Sequence, residues 1–148
     1  MNQGKALAND PSVLRDAEMD PVERAAALSR LVSDQRKEFE PDIAGLLTHR
    51  NPVLRCESII ALVGRWRIER YVMKACQLLT DDPDWSVRSS GAHALSMYAR
   101  SSRVTPEERV SILRLLAHTV QVDRDSNVQQ AAYEGILRIL GDRKSTRL

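Results

Sequence analysis

The strongest constraint on the fold is an internal repeat. Three segments of twelve residues align without gaps, and they start at Asn51, Asp84 and Asp125, which gives spacings of 33 (51 to 84) and 41 (84 to 125) residues. Each segment has a polar capping residue, an aliphatic residue three positions later, then Arg or Gln, then two small residues before Leu or Ile. Small residues allow close helix approach. A helix ahead of each segment supplies its partner, so we expect helical hairpins that stack to bury their apolar faces.

Prolines mark the helix starts. All six prolines follow a small or acidic polar residue, and the first helical position tolerates proline because it needs no N–H partner. Two starts, 20–23 and 105–108, add a glutamate three residues after the cap and so form a capping box or its Asp analogue. Strand-type alternation is absent beyond a few positions. The sequence therefore predicts an all-α fold with helices near 20–34, 41–48, 52–66, 68–80, 84–100, 106–122 and 126–140, and a possible short turn near 11–17.

Apolar residues at three- and four-residue steps predict one buried face on each of the last two helices. The predicted buried residues are Val110, Leu113, Leu116, Ala117 and Val120 in the first, and Val128, Ala131, Ala132, Ile136, Ile139 and Leu140 in the second.

The 148 residues fit one domain. We expect a partly ordered N-terminal extension at 1–19, a single domain at 20–141 and a C-terminal tail at 142–148. The longest apolar run, 58–64, is far below the ~20 residues that span a bilayer, so no membrane association is expected. The first residues lack the apolar core of a secretory signal, and we expect a cytoplasmic protein.

The repeated segments resemble HEAT repeats, in particular the short bacterial kind related to phycobilisome-lyase proteins, with a signature like D-x-x-V-R-x-x-A-x-x-A-L. The copy at 84–95 matches best, and the copy at 51–62 has Asn for the leading Asp. The third copy departs from the pattern with Gln129 in place of Arg. The segment 20–28 looks like a degenerate N-terminal unit or cap. The resemblance covers roughly 20–141 and implies an α-solenoid of about three HEAT-like antiparallel hairpins with an N-terminal capping helix.

The resemblance also implies an ionic ladder between repeats. Arg55 and Arg88 occupy the repeat position whose arginine pairs, in the family, with an aspartate of an adjacent loop, and Asp84 offers a partner for Arg88. If these pairs are exposed, each contributes only about 0–1 kcal/mol. Because Gln129 replaces the third arginine, an ionic ladder is not expected to reach the last copy.

The sequence contains no recognisable catalytic pattern. Cys56 and Cys76 are too few for a disulfide framework or a zinc site. Histidines 49, 93 and 118 are scattered, and no phosphate-binding or nucleophile motif is present. The acidic clusters at 81–84 and 107–108 lie at helix starts, where carboxylates stabilise the helix dipole. We therefore expect no enzyme activity, no cofactor and no metal.

In HEAT-like solenoids the second helices line the concave side, so the resemblance places the partner-binding surface there. Arg67, Arg100 and Arg138 would form a column beside apolar groups and suit an acidic segment; the alternative is an ordinary solvated face. Trp85 either covers the joint between hairpins or protrudes as a binding anchor, whereas Trp66 is expected in the core. The candidate partner-binding residues are Ile60, Arg67, Trp85, Ser89, His93, Met97, Arg100, Gln130, Glu134 and Arg138.

These observations predict a non-enzymatic protein-binding module of adaptor, chaperone or immunity type; they do not indicate its oligomeric state. The alternative is nucleic-acid or phosphate binding by the arginine column, since residues 43–148 carry sixteen basic and eleven acidic groups. That alternative predicts an affinity that falls steeply with salt. A third possibility, an auxiliary lyase-type enzyme subunit, rests on family analogy alone and predicts turnover or a bound chromophore.

Overall fold

All regular secondary structure in the described part of the chain is helical. A computed structural model describes the backbone of residues 12–145 and the side chains of 12–141 except residue 13, and this part contains no strand. The prediction of an all-α fold is confirmed. The α-helices are α1 (Ser12–Arg15), α2 (Pro21–Ser33), α3 (Glu40–Gly45), α4 (Pro52–Ile59), α5 (Val72–Asp81), α6 (Trp85–Ala99), α7 (Pro106–Val122) and α8 (Ser126–Ser145).

Shorter helical pieces complete these elements. α3 is flanked by the 3-10 turns Lys37–Phe39 and Leu46–Thr48, α5 is preceded by the 3-10 turn Glu69–Tyr71, and α4 continues as the π-helix Ile60–Arg65. These pieces account for the predicted helices at 41–48, 52–66 and 68–80.

The two chain ends differ from the prediction in detail. In the predicted extension 1–19, residues 1–11 lie outside the described part, and α1 places Leu14 in the core with 2% of its surface exposed. The last helix does not end at 140 but continues to 145, into the predicted tail, of which residues 146–148 lie outside the described part.

Five helix starts follow the predicted caps, because in each the capping side chain accepts a free backbone N–H of the first turn. Glu40 does not act as a cap, since α3 begins at Glu40 itself, and Pro83 lies in the loop before α6 instead of marking a helix start. The acceptor–donor pairs are Asp20 with Val22 (3.2 Å), Asn51 with Val53 (2.9 Å), Asp84 with Ser86 (2.8 Å), Thr105 with Glu108 (3.2 Å) and Asp125 with Asn127 (2.8 Å).

Helices α2, α4, α6 and α8 contact one another in sequence. α2 contacts α4, α4 contacts α6, and α6 contacts α8, while α5 packs against α6 and α7 packs against α6 and α8. The helix α6 is thus central, and its Val87, Ala92 and Leu95 are fully buried.

Glycines at the small-residue positions of the repeat allow close helix contact. A Cβ atom at Gly91 would lie 3.0 Å from the backbone N of Leu79 and 3.1 Å from the carbonyl O of Ala75, so α5 and α6 touch backbone to backbone. A Cβ atom at Gly135 would lie 3.1 Å from Cβ of Ser96. These contacts confirm the predicted role of the small residues.

The prediction for the buried face of α7 is confirmed in part. Leu116 is buried, Leu113 and Val120 are half-buried and pack against the core, and Val110 and Ala117 are exposed, contrary to prediction. Ile112 and Thr119 are also buried, so the most buried stripe runs through residues 112, 116 and 119. In α8, the predictions for Val128, Ala132 and Ile139 are confirmed, Ala131 and Ile136 are half-buried, and Leu140 is exposed, contrary to prediction.

Two bidentate ion pairs join successive hairpins. Nη2 and Nε of Arg55 lie 2.9 and 3.0 Å from Oδ1 and Oδ2 of Asp82. Nε and Nη2 of Arg88 lie 3.0 and 3.3 Å from Oδ2 and Oδ1 of Asp123. In both pairs an arginine near the start of one helix contacts an aspartate in the loop of the following hairpin. The two pairs therefore form an ionic ladder.

The ladder partner of Arg88 differs from the one suggested by the resemblance. Arg88 binds Asp123 of the following loop, and Asp84 instead receives the N–H of Ser86. The ladder aspartates lie two residues before the cap. Each of their carboxylates also accepts the N–H of the capping residue: Asp82 from Asp84 (3.0 Å) and Asp123 from Asp125 (2.9 Å).

The residue four positions after each cap also binds the carbonyl of its own loop. Gln129 keeps this bond without adding a charge. The donors and acceptor carbonyls are Arg55 with His49 (2.8 Å), Arg88 with Asp82 (2.9 Å) and Gln129 with Asp123 (2.6 Å).

The ladder is buried. The side chains of Arg55 and Asp82 are 13% and 5% exposed, and those of Arg88 and Asp123 are 5% and 10% exposed. The small contribution expected of exposed pairs therefore does not apply, because removing one partner of a buried pair leaves an uncompensated charge.

A variant joint lies between α2 and α4. Arg24, four residues after its cap and 5% exposed, has Nη1 at 3.2 Å from Nε2 of His49, and it also donates to the carbonyl of Leu14. His49 stands two residues before the next cap, the position of the ladder aspartates, and its Nδ1 accepts the N–H of Asn51 at 3.0 Å.

A histidine at this position cannot accept hydrogen bonds from both of its neighbouring donors. A neutral imidazole has one acceptor nitrogen, so it cannot accept both from Asn51 and from Arg24. Burial first, and then the charges of Arg24, Arg50 and Arg55, lower the pKa of His49, so the ring is neutral at neutral pH. Nε of Arg24 is also buried without a hydrogen-bond partner in the described part of the chain.

We expect Asp82→Ala to lower the free energy of unfolding by about 3–5 kcal/mol, because it leaves Arg55 buried without its carboxylate. Asp81→Ala, at the exposed neighbouring residue, is the matched control and should change stability by about 0.5 kcal/mol or less. Urea unfolding measures both variants. Equal stabilities of the two would show that the ladder does not join the hairpins.

We expect His49→Asp to raise the free energy of unfolding by about 1–3 kcal/mol, because a carboxylate can accept from Arg24 and Asn51 together. His118→Asp makes the same exchange at an exposed residue and should give no gain. The measurement is urea unfolding at neutral pH. An unchanged midpoint for His49→Asp would contradict the interpretation that His49 leaves one of its two donors unsatisfied.

Candidate functional site

The candidate site is the uncovered face of the central helix α6 and its two neighbours, which we call the open face. From α6 it includes Ser89, His93 and Met97, all partly buried. The π-helix contributes Ile60 and Arg65 on one side. On the other side, α8 contributes Gln130, Glu134 and Arg138, all exposed.

Contacts between side chains connect α6 with α8 across this face. Nη1 of Arg138 lies 3.1 Å from Nδ1 of His93, and Nη2 of Arg138 lies 4.0 Å from Oε2 of Glu134. Glu134 also accepts from Nε2 of Gln130 at 3.0 Å. The structure thus brings together four of the predicted site residues.

The charges of two guanidinium groups act on His93. Burial is the largest cause that lowers the pKa of His93, followed by the charges of Arg138 and Arg65, while Glu134 acts in the opposite direction. His93 is therefore neutral at neutral pH and can accept the hydrogen bond from Arg138. Because folding lowers this pKa, its contribution to stability is full above about pH 6.5 and is lost as the pH falls through the lowered pKa.

Arg65 was missed by the sequence analysis because of the π-helix. The N–H of Trp66 binds the carbonyl of Ala61, five residues earlier, at 2.9 Å. Such a wider turn changes the angle between successive side chains, so counting in α-helical steps selects Arg67 and passes over Arg65. No simple pattern in the sequence marks this turn.

The π-helix also fixes the contact with Met97. A Cβ atom at Gly64 would lie 3.0 Å from Sδ of Met97 and 3.5 Å from Cα of Ala94. Met97 therefore packs over the backbone of Gly64, which explains why it is only partly exposed.

The other predicted arginines lie at helix ends. Arg67 follows the π-helix with a left-handed backbone (φ 53°) and is exposed. Arg100 is the exposed residue that ends α6. That Arg67, Arg100 and Arg138 form one column stays a prediction.

The two tryptophans have different environments. Trp66 is 8% exposed, which confirms its prediction as a core residue, and its Nε1 has no hydrogen-bond partner in the described part of the chain. Trp85 is 48% exposed at the start of α6, so it combines partial packing with an accessible apolar surface.

The reactive side chains form no cluster in the described part of the chain. No group of three or more His, Cys, Asp or Glu residues there is arranged to hold a metal ion. Burial raises the pKa of both cysteine thiols, and Cys56 lies 3.7 Å from Oγ of Ser86. A polar cavity of about 490 Å³ lies over the ladder, where Arg88 and Asp123 neutralise each other.

Comparison of the chain with protein-family models, curated proteins and solved structures finds no match. Among the described helices, none has both the length and the apolar character needed to cross a membrane.

We expect Arg138→Gln to raise the pKa of His93 toward its ordinary value, because one of the two flanking positive charges is removed. Glu134→Gln should shift this pKa in the opposite direction. Arg114→Gln, on the exposed side of α7, is the control and should leave it unchanged. The measurement is an NMR titration of the imidazole resonances, and equal His93 titration curves in all variants would contradict the cluster.

Proposed function

We propose that this chain is a non-enzymatic protein-interaction module, built as a HEAT-like α-solenoid of about three hairpins with an N-terminal capping helix. The recurring contacts support the architecture. Arginines four residues after the caps contact the following loop at three joints, through His49, Asp82 and Asp123. The side-by-side order of α2, α4, α6 and α8 agrees with a translational stack.

The open face is the proposed partner-binding surface. The observation that carries this assignment is the contact between Arg138 and His93, beside which Glu134 supplies one negative charge and Arg65 acts on the ring as a second positive charge. The cluster has a net charge of +1, so it favours an acidic segment of a partner protein. Guanidinium groups suit this partner because they bind carboxylates in bidentate geometry.

Apolar groups beside the cluster provide anchoring contacts. Ile60 and Met97 are partly exposed on the same face. Trp85 adds an accessible aromatic ring near the start of α6. Because helices hold these groups in place, binding requires little additional ordering.

A protein partner suits the surface better than nucleic acid. Ile60 and Met97, partly exposed beside the cluster, offer contacts to apolar side chains, which a protein segment carries and a phosphate backbone lacks. The arginines of the cluster have no Phe, Tyr or Trp between them for base stacking. The proposed mode of action is therefore stoichiometric capture, through which the module masks or positions its partner.

The test is a pull-down with the double variant Arg65→Glu/Arg138→Glu, read by quantitative mass spectrometry. Reversing both charges should reduce the retained acidic partners by about tenfold or more, because each desolvated charge pair contributes on the order of 1 kcal/mol or more. The matched control, Arg114→Glu/Arg124→Glu, changes the net charge equally at exposed residues of α7 and its following loop.

Retention of the same proteins by the wild type and by the open-face double variant would refute binding at this face. Retained nucleic acid that is lost with increasing salt would instead favour the phosphate-binding alternative.

A further inference from the structure

A second cavity of about 410 Å³ lies between the N-terminal halves of α5 and α7. It is formed mainly by the first helices of two hairpins, and it shares no residue with the open face. Its location is also distinct from the ladder, which lies at the opposite ends of the same helices. We call this cavity the α5–α7 groove.

The walls of the groove are apolar. Met73 and Cys76 line it from α5, Ile112 and Leu115 line it from α7, and Tyr98 at the end of α6 joins the two walls. Met73 is 70% exposed, whereas Tyr98 is buried. An exposed flexible methionine beside an apolar floor is typical of a surface that adapts to an inserted side chain.

The rim of the groove is acidic. Glu69, Glu107 and Glu108 line it, and none of the three forms an ion pair with a described residue. No lysine or arginine lines the groove. Burial is the largest cause that raises the pKa of Tyr98, and the charges of Glu108 and Glu69 raise it further, so both carboxylates face the same ring.

We propose that the α5–α7 groove binds a basic segment of a partner protein. An apolar side chain of that segment enters between Met73, Cys76 and Leu115, and flanking lysine or arginine residues pair with the rim glutamates. The cavity volume accommodates one or two large side chains, and the uncompensated negative charge selects a cationic occupant. This site is additional to the open face, which has the opposite charge preference.

Cys76 provides a direct test because it lies in the groove. In a Cys56→Ser variant it is the remaining thiol, since the chain has two cysteines. Two synthetic peptides with the same leucine–phenylalanine core and an activated disulfide are supplied separately, one flanked by arginines and the other by glutamates. Mass spectrometry measures the rate at which each peptide is captured.

The arginine peptide should be captured about fivefold faster or more, because the three carboxylates of the rim each contribute a modest attraction. The triple substitution Glu69→Gln/Glu107→Gln/Glu108→Gln should abolish this preference. The matched control Glu23→Gln/Asp34→Asn/Asp81→Asn removes the same amount of negative charge elsewhere on the surface. This control should retain the preference for the arginine peptide.

Equal capture rates for the two peptides would overturn the proposal. A preference that survives the groove substitutions, or that disappears equally in the matched control, would also overturn it, since net charge would then be the cause. A preference that appears only after removal of residues 142–148 would show that the chain's own basic tail, rather than a partner, occupies the groove.

Discussion

The other features of the structure depend on the ladder, in which an arginine of one hairpin forms a buried ion pair with an aspartate in the loop of the following hairpin. Asp82 binds Arg55 from the preceding hairpin and also the N–H of the cap that begins α6. One carboxylate thus sets both where a helix starts and how it stacks. Because the pairs are desolvated, a change in either partner disturbs the local cap and the joint between hairpins together.

The candidate sites follow from this arrangement. The ladder and the glycine contacts hold α6 between its neighbours, and the side of α6 turned away from α5 and α7 becomes the open face. Its chemistry is set by residues from three elements, with Arg65 and Arg138 brought to His93. The α5–α7 groove lies between two helices that leave apolar side chains uncovered below an acidic rim.

Local signals predicted the helices well, because caps, prolines and apolar spacing act within one turn or one hairpin. The aspartates of the ladder were not predicted from the sequence, because Asp82 and Asp123 lie two residues ahead of the repeated segment and outside its signature. Arg65 was missed because the π-helical turn before Trp66 changes which side chains share a face. The groove was missed because its two walls are distant in the chain and neither repeats.

The ladder also has a mechanical consequence for the joint between the last two hairpins. Arg88 and Asp123 link this joint at the loop end, whereas the groove occupies its other end. The ion pair can therefore act as a pivot, and rotation of α7 relative to α5 would alter the width of the groove more than the spacing at the loops. With this geometry, the aperture of the groove, at the end away from the ion pair, is the part of the joint that an incoming chain would adjust most easily.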